Sequence, residues 1–158
     1  MTHRWPLASA APVALIAAGV AAWFTWAADP PMAVPDGRLT PGDVATSDPA
    51  VICHPGYSRS QRVYETQGPA VYGELREIIL ERYGGVDVPR SPYELDDRIP
   101  LCLGGRQSAL NLWPQLIAEA RIKDQIEIRA CRLACKVGTR EAIEAWQAKF
   151  RGDWRKIR

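Results

Sequence analysis

Two neighbouring acids, Asp96 and Asp97, sit in the segment Tyr93-Glu-Leu-Asp-Asp-Arg-Ile-Pro-Leu-Cys-Leu, which runs into Gly104-Gly105 and then Asn111-Leu-Trp-Pro. Carboxylates take divalent cations, and a glycine turn lets backbone come close to a ligand. With a helix starting straight after Pro114, these parts would form a compact metal-and-phosphate site. Arg59 and Arg62 lie upstream, where they could steer a phosphate. The same residues have plainer uses. Asp96 and Asp97 can be solvated or paired with Arg98, and Asn111 can bond backbone across its loop. Lys123 and Glu127 have the i,i+4 spacing of a helix ion pair. His54 is the sole imidazole after residue 28.

The segment resembles the HNH nuclease family, whose pattern is D-H-x-x-P-L-x-x-G-G followed by N-L. It is closer to an exported bacterial subgroup with Y-E-L-D-H-x-I-P-L-x-L-G-G and N-L-W-P. Further matches are Ile52-Cys53, Gly56-Tyr57-Ser58-Arg59-Ser60 with Arg62, Lys123-Asp124 with Glu127, Cys135, and Asp153-Trp154. The resemblance thus spans about Val51 to Trp154. It implies a ββα-metal hairpin and helix, one divalent ion (Mg, Mn, Zn or Ni), and DNA as substrate. Asp96 would bind the metal, Asp124 on the next helix would complete its shell, and Asn111 would orient the base. The family's His is Asp97 here. A carboxylate of ordinary pKa, about 3.9 against 6.5 for His, is a poorer base near neutrality. The expectation is a weak or degenerate metal-dependent endonuclease. The alternative is a catalytically inactive HNH-fold protein with a binding or structural role at the cell envelope. No protein partner is implied.

The elements that must position these residues follow from punctuation and periodicity. Residues 29–50 carry five Pro and two Gly and read as a linker. Pro69 to Tyr83 reads as a helix with Val71, Tyr72, Leu75, Ile78 and Ile79 on one face, stopped by Gly84-Gly85. Tyr93 to Leu103 reads as a strand, and Asn111-Leu112-Trp113 as a short apolar piece closed by Pro114. A long helix is expected over Ile117 to Lys136 before Gly138. Thr139 caps another, with Ile143, Trp146 and Phe150 on its apolar face. The class is α+β, with residues 51–158 as the HNH-like domain.

Charge is polarised along the chain. Residues 29–117 hold 8 basic and 12 acidic side chains, and residues 118–158 hold 11 and 6. Pro6 to Ala28 are 23 residues without a charge, roughly 34 Å as a helix, against a hydrocarbon core of about 30 Å. Residues 1–28 therefore read as a single-pass membrane anchor or a cleaved signal peptide. Either puts the body outside the cytoplasm, periplasmic or secreted if cleaved, because Arg4 keeps the N-terminus inside. Four Cys suit two disulfides in such a compartment. Three connectivities are possible. The expected one is Cys53–Cys135 with Cys102–Cys131, tying two parts of the domain to one helix face.

Overall fold

The computed structural model describes residues 34–85 and 93–157. Helices α1 (Pro49–Ile52), α2 (Tyr57–Ser60), α3 (Val63–Gln67) and α4 (Pro69–Arg82) come first. A hairpin of β1 (Tyr93–Asp97) and β2 (Leu112–Leu116) follows, then α5 (Ile117–Val137) and α6 (Arg140–Arg151). Single 3-10 turns occupy Leu101–Leu103 and Trp154–Lys156. The described chain is thus α+β, mostly helical with one two-stranded antiparallel sheet. Both expected disulfides, Cys53–Cys135 and Cys102–Cys131, are present.

The two long helices stop and start where the sequence says. α5 ends in Gly138 at φ 70°, a left-handed C-cap that glycine adopts without steric cost. Thr139 accepts the Ala142 N–H at 3.2 Å and opens α6. α5 buries Ala120, Ala130 and Ala134, small side chains that let the hairpin and α6 approach closely. α6 buries Ile143 and Phe150 against Ile52, Ile99, Leu103 and Trp154. Between them Gln147 is buried but satisfied, donating to the Leu103 carbonyl at 2.7 Å and accepting from Ser47.

Four expectations need correction. Residues 34–50, the described part of the presumed linker, are built into the domain. Thr40 is fully buried and shares a 2.6 Å hydrogen bond with the Tyr83 hydroxyl, and Val44 bridges to Gly105. Proline and glycine there shape a strap that the core holds, which composition alone does not distinguish from a tether. The first strand stops at Asp97 rather than Leu103, because the Asp97 N–H bonds the Asp96 side chain at 2.7 Å and the chain turns away. Pro114 does not end the second strand. It pairs in register with Leu95, and in a two-stranded sheet its missing N–H faces an open edge. On α4 only Ile79 of the expected apolar face is buried, while Val71 and Ile78 are exposed. The short helices α1 to α3 carry no periodic signal, and the sequence does not announce them.

The glycine pair does more than turn. Gly104 lies at φ 82°, and a Cβ there would be driven into the Thr46 carbonyl; at Gly105 it would meet the Ile99 carbonyl. Gly105→Ala, at an ordinary φ, should therefore destabilise by about 1–3 kcal/mol through overpacking. Chemical denaturation reads this, and an unchanged midpoint would show that the turn at Ile99 yields to the added methyl.

No helix among the described residues is long and apolar enough to cross a membrane; Pro6 to Ala28 lie outside them.

Candidate functional site

The hairpin, the start of α5 and α2–α3 enclose a cleft of about 530 Å³. Asp96 and Asp97 both line it, although neighbours on a regular strand face opposite ways. Asp97 is the last residue of β1, where the strand geometry relaxes. Asp124 and Glu127 line the cleft from α5, Glu94 from β1, and Arg62 from the approach to α3.

Asn111 is fully buried and ties the site together. Its carbonyl oxygen accepts the Ile99 N–H at 2.9 Å, and its amide donates to the Ile99 carbonyl at 2.9 Å and to Asp97 Oδ1 at 3.1 Å. It therefore closes the loop and hydrogen-bonds the side chain at position 97.

Lys123 dominates the electrostatics. Its side chain is 1% exposed, and its Nζ donates to Asp96 Oδ2 at 2.9 Å, to the Asp97 carbonyl at 2.6 Å and to Glu127 Oε1. Helical spacing predicts the Lys123–Glu127 pair but not the reach to Asp96 across the hairpin. Nothing in a linear sequence announces it. Burial alone would lower the Lys123 pKa, but the charges of Glu127 and Asp96 outweigh it and raise it. One ammonium cannot balance three carboxylates. Burial, with the charges of Asp96 and Glu127, holds Asp97 well above the ordinary carboxylate range despite Lys123 and the Asn111 hydrogen bond. Glu127 is raised to about 7, again chiefly by burial, with Lys123 opposing. The two ends of the ion pair lean differently because Lys123 is shared. The excess negative charge favours the neutral forms of Asp97 and Glu127.

The sign of the pH dependence follows. A folded-state pKa above the unfolded value means that the folded protein binds more protons, so stability falls as pH rises between the two. We expect stability to be greatest near pH 4.5 and to decline towards pH 7, the range between the unfolded and folded values of Glu127. Glu127→Gln should flatten that decline in urea titrations at several pH values. A wild-type curve flat over the same interval would show Glu127 ionised throughout, without the raised value.

The other expected site residues fare unevenly. Arg62 is at the rim, 3.8 Å from Glu65. Arg59 is outside the cleft, mostly exposed and bonded to Glu65 at 2.7 Å, in a neighbouring depression with His54. Arg98, a candidate partner for the acids, instead donates to the Thr40 and Arg151 carbonyls. Glu94 is a site residue that the motif does not single out, although its i,i+2 spacing from Asp96 puts it on the same strand face.

The donor set does not suit a divalent ion as it stands. Asp96 is engaged by the Asp97 N–H on one oxygen and by Lys123 on the other. Among the described residues, no group of three His, Cys, Asp or Glu side chains is placed to hold a metal. The point between Asp96 and Glu127, where a cation would be welcome, is taken by the Lys123 ammonium.

The chain matches no family model, and no curated protein or solved structure matches it.

Proposed function

We propose that this is an exported HNH-like domain that serves as a binding or structural element at the cell envelope rather than as an efficient nuclease. The hairpin followed directly by α5, with Asp97 and Asn111 bonded across it, supports the HNH-like reading of the core. One observation carries the inactive assignment: Lys123 Nζ sits between Asp96 and Glu127 and takes the point between their carboxylates that a metal would occupy. Among the described residues six carboxyl side chains line the cleft against the guanidinium of Arg62, a poor match to a phosphodiester even with Asp97 and Glu127 shifted towards their neutral forms. Residues 1–28 are the anchor or signal in this reading, and two disulfides suit an oxidising compartment.

Plasmid nicking by the full chain in Mg, Mn, Zn or Ni tests it. The expected rate is that of Asp96→Ala, which cannot bind a metal at this point. Metal-dependent nicking that Asp96→Ala abolishes would overturn the proposal.

A second reading, slow hydrolysis of DNA, is favoured by one feature of Asp97. Its raised pKa brings the carboxyl nearer neutrality than an ordinary aspartate, and Asn111 aims it. Asp97→Asn separates the readings, since it removes such a base while keeping a hydrogen-bonding shape. It should leave a background rate unchanged but lower a catalysed one by about 10²-fold or more.

A further inference from the structure

Away from the cleft, α5 presents a second face. Ile122, Leu133 and Val137 are exposed on it, at 60, 39 and 62%, and Ile126 is partly exposed between them. Positions 122, 126, 129, 133 and 137 follow helical spacing and form one stripe. The stripe contains Arg129 and no acid; Asp124 and Glu127 point to the cleft instead. Alongside it on α6, the Lys149 ammonium stands 4.1 Å above the Trp146 ring. Ile126, Arg129, Trp146 and Ile157 border a shallow depression of about 260 Å³. Aliphatic side chains, an indole and basic groups that snorkel around it are the composition of a membrane-interface surface.

The chain leading into the domain is short. Pro35 is already buried, and Arg151 at the end of α6 donates to the Gly42 carbonyl at 3.4 Å. From Ala28 to Val34 the chain spans at most about 20 Å when fully extended. A domain held that close to a bilayer meets it at high local concentration, so weak contacts suffice to orient it.

We propose that the Ile122–Val137 stripe of α5 and the Trp146–Lys149 edge of α6 seat on an anionic phospholipid surface. This rests on the reading of Pro6 to Ala28 as a membrane anchor. The bound domain then turns its acidic cleft away from the negatively charged headgroups, and the basic side chains meet them. Each Lys or Arg near an anionic surface strengthens attachment about fivefold.

The test uses the full chain in phosphatidylglycerol–phosphatidylcholine vesicles, with p-benzoylphenylalanine substituted for Leu133 or, as a control on α4, for Ile78. Both positions are exposed, so neither substitution threatens the fold. Illumination should yield lipid adducts from position 133 and few from position 78. Arg129→Gln with Lys149→Gln should cut the yield at 133 roughly tenfold or more, as should vesicles of phosphatidylcholine alone. Equal yields from 133 and 78 in a chain that floats with the vesicles would overturn the docking while leaving the anchor intact. Adducts from 133 to a second copy, or to DNA when it is added, would overturn it too. A chain that does not float at all removes the anchor and the proposal with it.

Discussion

Replacing Lys123 with Met should cost about 3–5 kcal/mol, the loss expected when one member of a buried ionic network is removed. The change keeps the bulk of the side chain and deletes its charge, so Asp96 and Glu127 are left facing each other without compensation. For a domain of this size the melting temperature should fall by roughly 10–20 °C. Adding Glu127→Gln to the same chain should recover part of the loss, because it takes away one uncompensated carboxylate. Scanning calorimetry of the two variants decides the matter. A loss below about 1 kcal/mol, the range of exposed pairs, would mean that Lys123 is free to reach solvent.

The second large effect concerns the bridges. Cys53–Cys135 closes a loop of sequence separation 82, and Cys102–Cys131 one of 29. Loop-closure entropy gives about 4.5 kcal/mol for the first and about 3.5 kcal/mol for the second. Cys53→Ser with Cys135→Ser should therefore destabilise more than Cys102→Ser with Cys131→Ser, although the shorter bridge lies beside the cleft. Urea unfolding of each double variant tests the order. The reverse order would locate the stabilisation in native contacts around Cys102 rather than in the unfolded chain.

The sequence discloses the parts of this protein whose cause is local. Gly138 and Thr139 mark the break between α5 and α6 because a left-handed cap and a side-chain cap are one-residue signals. The four-residue spacing of Cys131 and Cys135 is enough to put both bridges on one helix. The Asp97–Asn111 contact joins two residues that the HNH resemblance singles out. What stays hidden depends on contacts between distant segments. Residues 36–48 look like a tether because proline and glycine serve straps and tethers equally. The burial of Thr40 against Leu112 and Tyr83 has no signature in either stretch. Lys123 shows the same limit. Its partner four residues on is legible, whereas the partner 27 residues back, Asp96, appears only once β1 is laid across α5. That second contact is the one that alters the functional reading.

The arrangement of the bridges has a consequence for how the chain is made. Cys53 and Cys102 leave the ribosome first, and both of their proper partners lie further on, one helical turn apart on α5. At about 5–20 residues per second, Cys53 and Cys102 are together for a second or more before Cys131 emerges. The earliest oxidation open to the growing chain is thus a wrong one, between Cys53 and Cys102. Even when α5 is complete, the two late thiols can exchange partners by a shift of a single turn. A host strain able to isomerise disulfides should therefore yield more native protein than one that only oxidises them.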